Sequence, residues 1–453
     1  MTANILDVTN VVTSSSEPDT FEQVDTYCPK IATPWGKHPE PWNTSVKLEN
    51  YANLANETTS NGRTKDYWWY THQTPYYPNP TLHIDDNGVS ARMMYWMMSE
   101  YNIKGYLIWE TVAAYDGEGG VLHGWELYED IFRDKGASSG DAFMFYPGKL
   151  LGMDTPVPAV RLYYMRDGIE DYDAMYDLRE NLYTAMSEKY GATLNVEGIL
   201  DELYASMYTF NKTYATSAEL ANSRKALESL LVWANNGIGV SDFTLNANGT
   251  ATAKIYAPAN VEIKVNGKAL SGGQTAGEGV VYTVSEKAEN FIIEAAGMSV
   301  NVFTRTTDIF LADTQKVSVY TLVDNKEVVD LNASVTVNNG ALAVGINAAT
   351  TELSYELEKT QLTADSKSLI IVVNYSGTER TEMTVGFKAQ SMIGAALRGV
   401  FDTVYLNPGE NVIRIDRIGD KWSALKEMKT LTFTPQEGHS DYTLTIKNIT
   451  VIG

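Results

Sequence analysis

The segment KDYWWYTHQTPYYPNP, residues 65–80, sets two tryptophans between tyrosines and then breaks off in prolines. Read as an extended strand, it separates into two faces, because alternate side chains point to opposite sides. Trp68, Tyr70 and His72 share one face, while Tyr67, Trp69 and Thr71 share the other. One set serves as core and the other is free to meet a ligand, and alternation alone leaves the choice even. Ligand sites of parallel sheets lie at the C-terminal ends of the strands. His72 and Gln73 fall at that end, with Tyr76 and Tyr77 in the loop that follows.

The flanking sequence repeats the pattern. NVVTSS (10–15), QVDTYCP (23–29) and IKGYLIWE (103–110) read as further strands, and GVSARMMYWMMSEYN (88–102) as an apolar helix with Asp85, Asp86 and Asn87 as candidate caps. A second helix is expected over 155–191, with Pro158 in its first turn and Gly191 at its end. Strands alternating with helices indicate parallel α/β structure. The same parity test groups Asp25 with Tyr27 and Leu107 with Trp109, and sets Glu110 opposite Trp109. A carboxylate such as Asp25 on an inward face needs a partner, for which Arg161 and Arg166 are the candidates. The Met93, Met94, Met97, Met98 group reads as helix packing.

Residues 194–239 read as a helical extension. From Val240 onward the chain turns rich in Thr, Val, Asn and Gly, in short alternating runs, with Asn266-Gly267 as a hairpin signal. The predicted organisation is multidomain, α/β followed by all-β. An α/β segment spans 1–193, the helical extension 194–239, a small β-sandwich 240–304, and a larger jelly-roll-like sandwich 305–453.

Bulk properties narrow the partners. A formal charge of −22 over 453 residues repels phosphate backbones and anionic membranes, whereas a neutral glycan is not repelled. Cys28, the single cysteine, excludes an intrachain disulfide and a cysteine zinc site. His38, His72, His83, His123 and His439 lack helical i, i+4 pairing, so neither metal nor cofactor is expected. No apolar run is long enough to span a bilayer, and the opening MTANILDVTNVVTSSSEP has no signal-peptide pattern.

Three segments carry a resemblance: WWYTHQTP, GYLIWE, and GDAFMFYPG followed by PVPAVRLYYMRDGIEDYDAMYDL. In the last, Arg161, Arg166, Asp167, Gly168, Glu170, Asp171 and Tyr172 stand at the spacing of the glycoside hydrolase 123 family, which the first ~200 residues resemble. The resemblance implies the C-terminal half of a (β/α)8 barrel, strands five to eight, with Trp68 and Tyr70 toward the lumen. It implies substrate-assisted, retaining release of a terminal β-linked N-acetylhexosamine, N-acetylgalactosamine foremost. In that chemistry an Asp orients the 2-acetamido group and an adjacent Glu acts as acid, then base. The strand ending in that pair would precede Met1. Asp201-Glu202, the only Asp-Glu dipeptide, lies in a helical pattern, so this chain alone is expected to be inactive. Glu110 is the one substitute acid considered.

The substrate-binding candidates are Asp25, Tyr27, Trp68, Tyr70, His72 and Trp109. The region from about 305 resembles jelly-roll carbohydrate-binding modules, with Trp422 and Tyr442 as stacking candidates. The implied setting is extracellular, cell-surface or periplasmic, with self-association through an open half barrel. The competing expectation is a non-catalytic glycan-binding or cell-surface structural protein.

Overall fold

A computed structural model describes residues 11–14, 24–29, 58, 62, 64–71, 80–84, 86–108, 111–112, 140, 143–209, 212–213, 217–246, 250–287, 290–303, 306–357, 362, 366, 368–391, 396–416 and 425–452. The protein is mixed α/β, with many strands and few helices. It divides into two compact units, Met1–Leu178 with Met207–Arg224, and Arg179–Ser206 with Lys225–Gly453.

In the first unit β1 (Val11–Ser14), β2 (Thr26–Pro29), β3 (Asp66–Thr71) and β4 (Gly105–Ile108) form one sheet in sequence order. Every pairing in it is parallel. Helix α1 (Val89–Glu100) connects β3 to β4. Ten of its twelve residues are buried, four of them methionines, so it is surrounded by protein rather than amphipathic. The caps differ from expectation in detail. Gly88 occupies the N-cap without a side-chain bond, and Asn87 Oδ1 accepts from the Val89 amide instead.

The second helix starts later than the sequence suggested. Pro158 lies in β6 (Val157–Pro158), paired with β5 (Phe145–Tyr146), and α2 runs over Val160–Asp177. A π-helical turn at Leu178–Leu182 separates α2 from α3 (Tyr183–Tyr190), which ends at Gly191 with φ 60°. The buried face of α2 is Arg161, Met165, Gly168, Asp171 and Met175, spaced three or four apart as one helical stripe requires. Next come α4 (Glu197–Ala205), the short β7 (Tyr208–Thr209) and β8 (Lys212–Thr213), and α5 (Ser217–Asn235).

Among the described residues, the second unit contains four antiparallel sheets. Two are four-stranded and built from β9 (Gly239–Leu245), β10 (Thr250–Ala257), β11 (Ile263–Val265), β12 (Lys268–Ala269), β13 (Gln274–Ala276), β14 (Gly279–Lys287), β15 (Phe291–Ala295) and β16 (Met298–Phe303). Their orders are β13-β14-β10-β9 and β12-β11-β15-β16. Phe243 meets Phe291 edge-on with ring centroids 5.4 Å apart, and the Trp233 indole donates to the Ala295 carbonyl at 2.9 Å.

The other two sheets use β17 (Thr306–Asp308), β18 (Val317–Val323), β19 (Lys326–Val329), β20 (Val335–Asn338), β21 (Ala341–Ile346), β22 (Thr350–Glu356), β23 (Ser368–Tyr375), β24 (Thr381–Ser391), β25 (Ala396–Leu406), β26 (Gly409–Asp416), β27 (Leu425–Pro435) and β28 (Tyr442–Ile452). One runs β20-β21-β28-β23-β26 with β17 added on β28, and the other β19-β18-β22-β27-β24-β25. Leu369, Ile371 and Val373 from the first share one buried cluster with Leu353, Val385 and Phe433 from the second. Two apolar sheet faces closed on one core make a sandwich. The Glu202 carboxylate of α4 receives both Nη atoms of Arg414 on β26, at 2.6 and 3.0 Å.

Candidate functional site

The parallel sheet positions the site. Tyr67, Trp69 and Thr71 are buried, whereas Trp68 and Tyr70 are half-buried. Tyr67 donates its hydroxyl to the Tyr101 carbonyl, and burial pushes its pKa up to about 12. Thr71 Oγ1 lies 2.5 Å from the Tyr106 hydroxyl, and the Tyr106 ring meets Tyr95 of α1 edge-on. The Tyr67/Trp69/Thr71 face is therefore the one covered by α1, and Trp68 and Tyr70 lie on the opposite face.

Inter-strand register then sorts the remaining candidates. Tyr27 stands beside Tyr67, so it belongs to the helix-covered face together with the alternate position Asp25. Both are buried. Asp25 precedes β2, and its carbonyl accepts from the Asp66 amide at 2.9 Å, at the N-terminal end of the strands. The structure thus does not bring Asp25 and Tyr27 together with Trp68 and Tyr70. Of the two arginines considered for Asp25, Arg161 donates to the carbonyls of Leu82, Gly140 and Phe143 at 2.5, 2.6 and 2.7 Å. Arg166 is exposed beside Asp167 and Glu170. His72, Trp109, Glu110 and Trp422 lie outside the described residues.

Trp68 stands beside Gly105, and Tyr70 beside Leu107. All four are half-buried. Cys28 occupies the matching position on β2 and is fully buried. Burial pushes its thiol up to about 12, so at neutral pH it is a protonated packing residue rather than a nucleophile. The Tyr70 hydroxyl is also held above its ordinary pKa, first by burial and then by Cys28. The resulting surface offers an indole, a phenol and an aliphatic side chain, which suits the C–H faces and hydroxyls of a sugar. Among the described residues no group of His, Cys, Asp and Glu is arranged to hold a metal ion.

Signals in the α2 motif that look chemical are structural. Asp171, fully buried, accepts from Arg92 Nε and Nη2 at 2.6 and 2.9 Å, from Trp96 Nε1 at 2.8 Å, and from Arg224. The carboxylate raises the Arg92 pKa above its ordinary value. A Cβ on Gly168 would lie 2.4 Å from the Tyr95 ring, so this glycine is what lets α1 and α2 approach. The Tyr172 hydroxyl donates to the Ile103 carbonyl at 3.1 Å.

In the second unit, Tyr442 is buried and makes T-shaped ring contacts with Tyr375 and His439, so it is not placed as a stacking surface. The Asp201-Glu202 dipeptide lies on α4, with Glu202 tied to Arg414. Asp201 is lifted to about 6, first by burial, then by Glu197 and Glu202 against the pull of Arg414 and Arg179. A folded-state pKa raised above the unfolded one stabilises most below about pH 4, and that contribution is lost as pH rises through about 6. Asp201→Asn should therefore match wild type near pH 4 and exceed it at pH 7.5. The gain should stay below about 1 kcal/mol, since Asp201 keeps solvent contact. Thermal melts of both proteins at the two pH values check this, and a variant less stable at pH 7.5 would contradict the sign.

Comparison with known proteins adds a family. Residues 21–178 match the family model described as glycoside hydrolase 123, catalytic domain. No curated protein matches the chain. Among solved structures, a family 29 carbohydrate-binding module shares 12% identity, over 32% of this chain and 84% of its own, with a TM-score of 0.23. The CBM22-1–GH10 modules of Clostridium thermocellum xylanase 10B, complexed with xylohexaose, share 15% over 32% of this chain and 27% of theirs, with a TM-score of 0.24. At such scores the likeness decides nothing about this chain, whose sandwiches rest on the strand orders above.

Proposed function

From the match of residues 21–178 to the glycoside hydrolase 123 catalytic domain, we propose that the first unit is the sugar-recognising part of an exo-acting N-acetyl-β-hexosaminidase. In this reading β1 to β4 are strands five to eight of a (β/α)8 barrel, and the Trp68/Tyr70 face looks into its lumen. The substrate is a glycan ending in β-linked N-acetylhexosamine, N-acetylgalactosamine foremost. Its own acetamido carbonyl oxygen attacks the anomeric carbon while a Glu protonates the leaving oxygen. The same Glu then removes a proton from the incoming water, so configuration is retained. An Asp beside that Glu orients the acetamido group, and this route departs from the two-carboxylate scheme. The reading includes glycan binding by the C-terminal sandwich and an extracellular, cell-surface or periplasmic setting, and β1 and β4, the outer strands of the sheet among the described residues, are where self-association would occur.

The observation that carries the proposal is the half-buried Trp68/Tyr70 face in the segment that matches the family. An inhibitor series tests it, using N-acetylgalactosamine-derived thiazoline with the longest open reading frame that contains this chain. Tyr70→Phe should weaken binding by about 0.5–1.5 kcal/mol, the range for one hydrogen bond. Trp68→Ala should weaken it further, through lost ring contact. Trp69→Phe, on the covered face, should lower stability and leave affinity unchanged. Affinity lost only in the Trp69 variant would place the ligand on the wrong face for this proposal. A second reading, a non-catalytic glycan-binding protein, is favoured by one fact: the sole Asp-Glu dipeptide sits on α4 with Glu202 engaged by Arg414.

A further inference from the structure

Gly105 stands beside Trp68 in the parallel register of β3 and β4. A Cβ built on Gly105 would lie 2.3 Å from Cδ2, 2.4 Å from Cε2 and 2.6 Å from Cγ of the Trp68 indole. Three ring atoms at nearly equal distance mean that the indole lies with one face down on the Gly105 backbone. No other residue type leaves room for this, because a real Cβ never approaches ring carbons so closely. Trp68 is nonetheless only half-buried. With one face occupied by backbone, the solvent contact falls to the opposite face and the ring edge. Tyr70 and Leu107, the next register pair on this side of the sheet, continue the surface toward the C-terminal ends of the strands.

We propose that Gly105 is a positioning residue, which lays the Trp68 indole flat against β4 so that its outer face forms a stacking platform for a hexopyranose ring. The inference rests on the sugar-recognition reading above and adds a residue and a geometry to it. A flat indole offers its full π-face to the C–H groups of one side of a pyranose, whereas a tilted one offers an edge. In Gly105→Ala the new methyl must lift or rotate the indole, because the atoms it would meet belong to the rigid ring. The strand itself tolerates alanine, since β4 needs no positive φ at this position.

The test labels the whole chain with 5-fluorotryptophan and follows the Trp68 resonance, identified by its disappearance in Trp68→Phe. The probe is methyl N-acetyl-β-D-galactosaminide, with methyl α-D-mannopyranoside as a second arm. In wild type the acetamido sugar should shift the Trp68 resonance in a saturable way. Gly105→Ala should move that resonance before any sugar is added and weaken binding about tenfold, the scale of a lost ring contact. In the Gly105→Ala background, Trp68→Leu should cost little further affinity, because the platform is already lost. The same change in wild type should cost the full factor. Additive losses would overturn the coupling between the two residues, and unchanged binding by Gly105→Ala would overturn the positioning role. Sugar that binds without moving the Trp68 resonance sinks the platform and leaves the hexosaminidase reading standing. A platform that binds either sugar, in an open reading frame that hydrolyses no hexosaminide, sinks that reading and leaves the platform standing. Absence of any sugar binding by wild type overturns the platform outright.

Discussion

Asp171→Ala should lower the stability of the first unit by about 3 kcal/mol, the low end for removing one partner of a buried ion pair. For a unit of this size that is a fall of roughly 6–12 °C in melting temperature. The carboxylate is fully buried and holds two guanidinium groups and an indole N–H, so its removal strands two cations and a buried donor at once. The low end applies because the Arg92 and Arg224 side chains keep 20% and 30% of their exposure and can turn to water. Asp171→Asn, which keeps an acceptor for Trp96, should lose less. Glu170→Ala, one position away but exposed, should leave the transition where it is. The same melt followed by circular dichroism compares all three. An Asp171→Ala shift below 2 °C would remove the network from the account of stability and reopen a chemical role for this carboxylate.

On chromogenic N-acetyl-β-D-galactosaminide and glucosaminide, this chain by itself should turn over ~10²–10⁴-fold more slowly than an enzyme carrying its general acid, which is the usual contribution of that group. The reason is chemical. The proposed route would use adjacent Asp and Glu at a strand end, whereas the sole Asp-Glu dipeptide lies on α4 with its Glu paired to Arg414 of β26. Release of nitrophenolate at wild-type rates after Glu202→Gln would show that the dipeptide is irrelevant. Turnover that vanishes in Glu110→Gln would give the acid role to Glu110.

What the sequence makes legible here is whatever depends on one chain segment at a time. The two-residue period of YWWYT separates Trp68 and Tyr70 from Tyr67, Trp69 and Thr71, and the Asn266-Gly267 hairpin appears as written, with φ of 50° and 75° between β11 and β12. What depends on how two segments meet is not legible. Tyr27 and Trp68 are each placed by their own strand's alternation, but only the β2–β3 register shows that Tyr27 sits beside Tyr67. A one-residue change of register would reverse that placement. Pro158 illustrates the same limit, because a proline two residues before a helix and one inside its first turn look alike until β5 pairs with β6. Gly105 has no pattern of its own. Its meaning comes from the indole above it, which belongs to another strand.

The Glu202–Arg414 pair joins positions 212 residues apart in sequence. A ribosome adding roughly 5–20 residues per second therefore releases α4 about 10–40 s before its partner strand exists. Throughout that interval Glu202 lacks the guanidinium that pairs with it in the folded chain. A nascent chain paused before residue 414 should accordingly be cut by protease at α4, and a chain carried past β26 should resist. Synthesis order thus sets a window of vulnerability at a helix whose own local sequence is complete.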